Sequence, residues 1–248
     1  MVWIVIFYND LELAVTALNR PRIAILGRFA DGSTATRSRA VVSARALVES
    51  VWNAGGDPIT LLPTADTDWA TRLRGFSAVL MPGGGDLNPE LYGQAPESDE
   101  LYGIDPLQDA SDLSLTKWAI ENKVPFLAIC RGFQLVNVAF GGTLVQHMQN
   151  DHRHVVHQLH LDADAERLGV NSSVLESSCY HHQSVDRLGE GLRVIARAAE
   201  GHVEAMAIDN GAWAYAVQWH PEDNAADNPQ QAGLFAKFVE QAKNAPLI

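Results

Sequence analysis

Residues 124–147 (VPFLAICRGFQLVNVAFGGTLVQH) constrain the fold more than any other part of the chain. The apolar run at 124–129 has the length and composition of a buried strand. An amphipathic helix is expected to begin near Gly132 and to end at the paired glycines 141–142. One reactive side chain, Cys130, stands between the two elements. The stretch therefore predicts a strand, a cysteine and a helix in direct succession.

Small residues flank this cysteine on both sides. Ala128 and Gly132 lie two residues before and two residues after Cys130, as the glycines do in a G-x-S-x-G elbow, where bulk would block a sharp strand-to-helix turn. Such a turn exposes the side chain at the carboxyl end of a sheet and directs free backbone N–H groups and the helix dipole toward it. A thiol in that position is suited to nucleophilic catalysis. The alternative is a cysteine packed in the core, the commoner environment of a lone cysteine.

Alternating strand and helix patterns precede this stretch. Apolar runs predict strands at residues 22–27, 58–62 and 76–81, helical patterns lie at 38–54, 69–73 and 109–122, and the polar segment 29–38 is predicted as a loop. Strands that alternate with helices at this spacing predict a mostly parallel sheet with helices on both faces. Ligands of such sheets bind beyond the carboxyl ends of the strands, where Cys130 would lie.

The pattern changes after this alternation. Residues 143–168 are polar and histidine-rich, with few periodic signals, whereas short strands are predicted at 193–198, 203–208 and 214–219 and a closing helix at 228–244. Turn signals at Gly201 and at Asn210-Gly211 separate the three strands and predict an antiparallel extension of the sheet. The expected organisation is an N-terminal extension at residues 1–20 followed by a single domain at 21–248.

Charge and cysteine content exclude several classes of function. The chain has 248 residues and a formal net charge of −12, which argues against a nucleic-acid partner because phosphate binding requires a basic face. Two cysteines make no disulfide framework, so a reducing, cytoplasmic location is expected. The apolar run at residues 2–7 is too short to span a bilayer, so no membrane association is expected. This run is instead a candidate contact in a homodimer.

A cysteine nucleophile requires a base and donors for an oxyanion. His220-Pro221-Glu222 follows the last predicted strand, so Glu222 could accept the imidazole N–H of His220. The backbone N–H groups of the glycine loop, defined here as residues 82–86 (PGGGD), and of Arg131 could stabilise the oxyanion. The alternatives are a solvated surface turn at His220 and a flexible loop at 82–86. Two acidic residues after the glycines, Asp86 and Glu90, are candidates for recognising an amine, with a solvated loop as the default interpretation.

Four segments occur together in the chain: PGGGD at 82–86, AICRGFQLVNVAFGGTL at 128–144, HHQSVDRLGEGL at 181–192 and VQWHPE at 217–222. With this combination the chain resembles the class I glutamine amidotransferase-like hydrolases. Within them it is most similar to the branch of γ-glutamyl-γ-aminobutyrate and glutamyl-polyamine hydrolases, peptidase family C26. The resemblance implies a flavodoxin-like three-layer α/β/α sandwich with an antiparallel C-terminal extension.

The resemblance also implies roles for individual residues. Cys130 would be the nucleophile, His220 the general base and then acid, and Glu222 the residue that orients His220. The backbone N–H groups of Gly84 and Arg131 would form the oxyanion hole. The substrate-binding residues implied are Gly83, Gly85, Gln134, His181, His182 and Gln183. A structural role for His181 is an equal alternative to substrate contact.

Two features depart from the branch. Its DPxRD pattern before the nucleophile strand has Gln108 in place of the arginine, which puts the role of that loop in doubt. Cys179 replaces the serine that usually precedes HHQ, and as a lone thiol it is interpreted as a packed small side chain.

The implied activity is hydrolysis of the γ-glutamyl amide bond of a small-molecule γ-glutamyl amine through a glutamyl thioester, with no cofactor. A histidine cluster (His152, His154, His157 and His160) has no flanking cysteine or H-E-x-x-H pattern, so no metal site is predicted. The alternative functions are a glutaminase subunit that delivers ammonia to a separate synthase and a non-catalytic sensor that binds a γ-glutamyl ligand.

Overall fold

A central mixed sheet organises the molecule. The computed structural model describes residues 20–32, 36–65, 67–150 and 152–248, so the predicted extension at 1–20 lies outside the described residues except for Arg20. The strands are β1 (Arg22–Leu26), β2 (Arg28–Ala30), β3 (Ala40–Val42), β4 (Asp57–Leu61), β5 (Ala78–Met81), β6 (Phe126–Ile129), β7 (Leu144–Val145), β8 (His152–Leu161), β9 (Val174–His181), β10 (Ser184–Val185), β11 (Leu192–Ala198), β12 (Val203–Ile208) and β13 (Ala214–Val217). The helices are α1 (Arg45–Asn53), α2 (Trp69–Arg72), α3 (Pro106–Glu121), α4 (Arg131–Ala139), α5 (Ala165–Leu168) and α6 (Pro229–Asn244), with 3₁₀ turns at Pro89–Tyr92 and Pro221–Asp223.

The main sheet has a parallel half and an antiparallel half. Its strand order is β4-β1-β5-β6-β13-β12-β11-β8-β9. Neighbouring strands from β4 to β13 run parallel, and those from β13 to β9 run antiparallel. The predicted mostly parallel centre with an antiparallel extension is confirmed. This order places the carboxyl ends of β5, β6 and β13 side by side.

Helices cover both faces of the sheet because successive side chains of a strand point to opposite faces. In β1, Ile23 belongs to the same buried cluster as Phe235 of α6, and Ala24 to the same cluster as Leu115 of α3. The two clusters are the two cores of a three-layer α/β/α sandwich. Among the described residues, every helix is too short or too polar to cross a membrane.

The prediction for residues 29–38 and 38–54 was wrong in part. The expected loop begins with β2, which pairs antiparallel with β3, and the helix begins only at Arg45. The run before this helix, Ala40–Val42, fits a helical period as well as a strand, so local sequence does not distinguish them. Pairing with Arg28–Ala30 decides in favour of a strand, and the resulting hairpin borders the site described below.

The polar region at residues 143–168 contains the longest strand of the sheet, β8, which the sequence did not predict. Its pairing with β9 shifts register between Arg153 and Val155, and His154 has a positive φ of 57°. A bulge of this kind interrupts the strict alternation of a strand. The interruption explains why the period-two signal was missing from the sequence.

Candidate active site

Cys130 occupies the turn between β6 and α4 and adopts a strained backbone. Its φ is 51° and its ψ is −104°, a conformation that side-chain-bearing residues rarely adopt. The Cys130 N–H donates to the Val217 carbonyl at 2.8 Å, which ties the turn to β13. The thiol is almost buried, with Sγ 3.9 Å from the Tyr180 carbonyl oxygen. The strand, cysteine and helix therefore follow one another as a sharp elbow.

Gly132 allows the elbow to pack against the neighbouring strand. A Cβ at this position would lie 2.5 Å from the Met81 carbonyl oxygen at the end of β5. Real Cβ atoms do not approach a backbone oxygen so closely, so only glycine fits without displacement of the strand. The small residue that the sequence pattern singled out is thus required by packing between α4 and β5.

Gly132→Ala is expected to destabilise the protein by about 1–3 kcal/mol, the typical cost of overpacking. The sign of this change in the free energy of unfolding is informative. Alanine in a helix is normally about 1 kcal/mol more favourable than glycine, so helix propensity alone would make the variant more stable. Gly32→Ala is the matched control, since nothing lies within 4 Å of a Cβ built there. Urea denaturation of both variants measures the difference. A Gly132→Ala protein at least as stable as the wild type would refute the close approach.

His220 and Glu222 follow β13 and meet Cys130 at the same edge of the sheet. His220 Nδ1 lies 2.8 Å from Glu222 Oε1, and the ring lies beside Cys130, whose charge acts on it. Gly83 packs against both partners: a Cβ built there would lie 2.8 Å from His220 Cε1 and 3.6 Å from Cys130 Cβ. The structure thus brings together the cysteine, histidine and glutamate that the sequence suggested.

The pKa of His220 is raised to about 11. Burial by itself lowers the pKa of an imidazole, but here the interactions of the ring with Cys130 and with Glu222 outweigh burial. The ring therefore carries a positive charge at neutral pH beside the sulfur. An imidazolium in this position can give a proton to a leaving group.

Cys130→Ala is expected to lower the pKa of His220 relative to the wild type. The substitution removes the interactions with Cys130 that raise this pKa most, and leaves only Glu222 to oppose burial. NMR titration of the His220 ring measures the change. Cys179→Ser, which removes the other thiol of the chain, is the control and leaves the His220 pKa near its wild-type value. Identical titration of the His220 ring in Cys130→Ala and in the wild type would contradict the claim that Cys130 raises the pKa of His220.

The glycine loop after β5 is held in place by Arg28, a partly exposed arginine. Arg28 Nε donates to the Gly83 carbonyl at 2.7 Å, and Arg28 Nη2 also donates to the Pro82 carbonyl. A Cβ at Gly84 would lie 2.8 Å from Arg28 Nε, and one at Gly85 would lie 2.8 Å from the Gly103 carbonyl oxygen. Close packing therefore accounts for these glycines, and the loop has defined contacts on both sides.

A network of arginines and carboxylates connects this loop to the elbow. Arg131, the first residue of α4, donates from its buried side chain to Asp109 at 2.5 Å and to Asp112. Arg28 Nη1 donates to the same Asp112 oxygen at 2.7 Å. The backbone N–H of Arg131 has no acceptor within its own helix, because the first N–H groups of a helix never do. Sequence reasoning missed Arg28 and Asp112, since neither lies in a recognisable motif.

Gln108, which replaces the arginine of the DPxRD pattern, belongs to this network. Its Nε2 donates to Asp112 Oδ1 at 2.8 Å, and its Oε1 accepts from the Phe29 N–H at 3.2 Å. Asp105 caps the start of α3 by accepting from the Leu107 and Gln108 N–H groups. The glutamine thus joins α3 to the β2–β3 hairpin.

The HHQ segment is buried and bonded to the protein. His182 Nε2 lies 3.1 Å from both carboxylate oxygens of Asp86, and His181 Nδ1 lies 2.9 Å from the Gln183 carbonyl oxygen. Gln183 Nε2 donates to the Gln146 carbonyl at 3.2 Å. Burial lowers the pKa of His181 to about 3, so this ring is neutral. These contacts give the segment a positioning role within the fold.

Asp86 has neither of the roles considered from the sequence. It is buried, and it also accepts from the Tyr102 N–H at 3.0 Å in addition to its contact with His182. The carboxylate therefore joins the glycine loop to the HHQ segment. Glu90 is exposed, as a solvated loop residue would be.

Gln134 lies one helical turn after Cys130 on α4. Its side chain is buried, and Nε2 donates to Gln218 Oε1 at 3.3 Å. Gln218 directly follows β13, so this contact links the elbow helix to the strand that delivers His220.

A cleft of about 550 Å³ opens beside these residues. Its polar walls include Arg28, Tyr180 and His220, and its apolar wall comes from Val42 and Leu47. This volume falls within the range of small-molecule sites. The β2–β3 hairpin, which the sequence analysis took for loop and helix, supplies part of the wall.

The two cysteines have different surroundings. Cys179 contacts His157 Nε2 at 3.1 Å inside the antiparallel half of the sheet. Burial, and secondarily the charge of Glu204, raises the pKa of Cys179 well above its ordinary value. This thiol therefore stays protonated at neutral pH when no metal is bound. Only Cys130 lies beside a charged imidazole at the sheet edge.

The candidate metal-ligating groups are of two kinds. One is His220, Glu222 and Asp223, which belongs to the site just described. The others combine His152 or His157, or both, with side chains of β9 and β12 or with Glu200 of the turn between β11 and β12. His154 instead lines the cleft, and His160 is exposed. The four histidines at 152–160 therefore do not share one environment: two lie in the candidate metal-ligating groups, one lines the cleft and one is exposed.

Comparison with known proteins gives consistent results. The sequence model of the family described as peptidase C26 matches residues 21–222. A provisionally named glutamine amidotransferase of Mycobacterium tuberculosis, Rv2859c, is 36% identical over 210 residues, which cover 78% of this chain and 65% of that protein's length. The γ-glutamyl-γ-aminobutyrate hydrolase of Escherichia coli O157:H7 is 30% identical over 214 residues, which cover 77% of this chain and 83% of that protein.

A solved structure supports the fold. The chain superposes on a glutamine amidotransferase of Thermotoga maritima with a TM-score of 0.62 at 13% sequence identity. The superposition covers 91% of this chain and 99% of that one. At this identity the likeness shows a shared architecture.

Proposed function

The chain belongs to the peptidase C26 family, and from this we propose that it cleaves the γ-glutamyl amide bond of γ-glutamyl amines with Cys130 as nucleophile. Family membership and the relatives make the chain a glutamine amidotransferase-like amide hydrolase. The proposal adds that the bond cleaved is a γ-glutamyl amide, that Cys130 is the nucleophile and that the intermediate is a glutamyl thioester. The observation that carries it is the meeting of Cys130, His220 and Glu222 at the elbow, where Gly83 packs against both Cys130 and His220 and where His220 and Glu222 line the cleft.

The acylation step begins from the sulfur and imidazole pair. The Cys130 thiolate attacks the γ-carbonyl carbon, and the carbonyl electrons move to the oxygen, which accepts from the Gly84 and Arg131 backbone N–H groups. The C–N bond then breaks as the His220 imidazolium gives its proton to the leaving amine. The products are the free amine and a glutamyl thioester on Cys130. Glu222 holds the ring in the orientation that this transfer needs.

The deacylation step reverses the roles. Neutral His220 takes a proton from water, and the resulting hydroxide attacks the thioester carbonyl. The C–S bond breaks, glutamate leaves, and the thiolate and imidazolium are restored. No cofactor enters either step. In this proposal Gly83, Gly85 and Gln134 contact the glutamyl group, and the buried His181, His182 and Gln183, named from the sequence as substrate-binding residues, support the site from behind.

A panel of γ-glutamyl amides tests the proposal. Purified protein is given γ-glutamyl-γ-aminobutyrate, γ-glutamylputrescine, glutamine and the α-linked isomer of the first, and released glutamate is measured. The γ-linked amides are expected to be cleaved and the α-linked isomer to be left intact. Absence of glutamate release from every γ-linked amide, or equal cleavage of the α-linked isomer, would refute it.

A second candidate is a glutaminase that delivers ammonia to a separate synthase. The 36% identical relative named as a glutamine amidotransferase favours it. This function predicts that the isolated chain is nearly inert on all substrates, and that glutamine becomes the best one when a partner is added. The same panel therefore separates the two candidates.

A further inference from the structure

A second group of reactive side chains is buried in the antiparallel half of the sheet. It consists of His152 and His157 of β8, Cys179 and His181 of β9, and Glu204 of β12. We call this group the histidine–cysteine cluster. The hydrolysis mechanism proposed above assigns no chemical step to Cys179 or Glu204. The group combines imidazole, thiol and carboxylate, the ligands that Zn²⁺ takes in proteins.

The ligand atoms lie at distances suited to one ion. His157 Nε2 is 3.1 Å from Cys179 Sγ, and Glu204 Oε1 is 3.6 Å from His181 Nε2 and 3.7 Å from His152 Nδ1. Ligands of a tetrahedral Zn²⁺, at about 2.0–2.3 Å from the metal, are separated by roughly 3.3–3.6 Å. In the sets His152, Cys179, His181 and His157, Cys179, Glu204, all ligand atoms lie within 4.8 Å of one another.

Burial without hydrogen bonds is the second indication. Glu204 is fully buried, and neither carboxylate oxygen has a partner within normal hydrogen-bond distance among the described residues, because His181 Nε2 and His152 Nδ1 lie 3.6 and 3.7 Å from Oε1. The Nε2 atom of the buried His181 also has no such partner in the described part of the chain, and it faces Glu204. Burial of a carboxylate without hydrogen-bond partners is strongly unfavourable. A cation between these groups removes that cost.

The charges balance around a divalent ion. When Cys179 binds a metal it loses its proton to solvent, and the thiolate and the Glu204 carboxylate together supply two negative charges. Neutral imidazoles of His157 and His181 complete the set. The ion has a route from solvent, because His157 is half-buried and exposed Glu200 lies within reach of His152 and His157.

We propose that the histidine–cysteine cluster binds a divalent transition-metal ion, Zn²⁺ by its ligand preference, through Cys179, Glu204 and the surrounding histidines. The site joins β8, β9 and β12 and includes His181, the first residue of the HHQ segment. The histidine run of the sequence showed no such site, because Cys179 and Glu204 come from other strands.

Cobalt absorption tests the proposal through the sulfur. The chain has two cysteines, so Cys130→Ser leaves Cys179 as the only thiol and excludes binding through the catalytic sulfur. Co²⁺ is added to chelator-treated C130S protein, and a near-ultraviolet band from thiolate-to-cobalt charge transfer is expected at one equivalent. Zn²⁺ should abolish this band by displacing Co²⁺.

Three further variants make the result specific. The band is expected to disappear in C130S/C179S and to persist in C130S/H160N, where the lost imidazole is exposed on the same strand. In C130S/E204Q we expect Co²⁺ affinity to fall by more than the roughly 10- to 100-fold that residues outside the coordination sphere cost. Circular dichroism checks that each variant is folded, and a Zn²⁺-dependent rise in the thermal midpoint of C130S gives a readout that does not depend on sulfur.

Two results would overturn the proposal. One is the absence of both the band and the Zn²⁺-dependent thermal shift in folded C130S protein. The other is a band that is equally strong in C130S/C179S, which would place the metal elsewhere.

Discussion

Cys130→Ala is expected to lower kcat for γ-glutamyl amide hydrolysis by about 10⁴- to 10⁶-fold, since residues that act as one catalytic unit lose nearly all of their effect when the nucleophile is removed. In the proposed mechanism the Cys130 sulfur forms the bond that defines the intermediate, whereas Cys179 contacts His157. The fold is expected to survive, because the substitution removes one heavy atom from a residue whose neighbours Gly83 and His220 line a cleft. Steady-state kinetics on the best substrate of the panel, with circular dichroism on the same sample, measure both.

The second thiol provides the matched control for this variant. Cys179→Ser removes a buried sulfur of the same chain and is expected to reduce turnover far less than Cys130→Ala does. If folded Cys130→Ala kept a tenth or more of wild-type turnover, the nucleophile would have to be another group. A greater loss in Cys179→Ser than in Cys130→Ala would exchange the roles assigned to the two sulfurs.

Asp112→Ala is expected to cost about 3–5 kcal/mol in the free energy of unfolding, the usual result of removing one partner from a buried ion pair. Asp112 is fully buried and binds the guanidinium groups of both Arg28 and Arg131. Its loss leaves two cations with fewer partners. We also expect hydrolysis to fall, because Arg28 positions the Gly83 carbonyl and Arg131 begins the elbow helix.

An exposed ion pair serves as the comparison. Glu49 pairs with Arg45 one turn away on α1, where both side chains are largely exposed, and Glu49→Ala should cost only about 0.3–0.5 kcal/mol. Urea denaturation of both variants measures the contrast. Asp112→Asn keeps the shape of the side chain and should fall between the two. A cost for Asp112→Ala as small as that for Glu49→Ala would mean that the network does not hold the site together.

The elbow and its partners could be anticipated because their signals are local. Cys130 follows a buried strand and is flanked by small residues, and His220 follows the last strand, so topology alone directs both to one edge of a parallel sheet. Packing of Gly132 against Met81 then explains the spacing in physical terms. Such constraints act over a few residues and remain visible in the sequence.

The supporting contacts could not be anticipated because they join distant parts of the chain. Arg28 and Asp112 are 84 residues apart in the sequence, and His182 and Asp86 are 96 residues apart. No periodicity reports such pairs. Burial of Asp86 also reversed the expectation that an acidic residue after a glycine loop would be solvated. The sequence therefore indicated the groups proposed to react, and the tertiary structure was needed for the residues that position them.

Trapping the acyl intermediate tests the central claim most directly. Wild-type protein is mixed with excess γ-glutamyl substrate, quenched in acid within the first turnovers, and analysed by mass spectrometry of the intact chain and of its peptides. The account predicts one added glutamyl group, on the peptide that contains Cys130, and its absence from Cys130→Ala. Turnover with no adduct at Cys130, or with the glutamyl group on another residue, would contradict it.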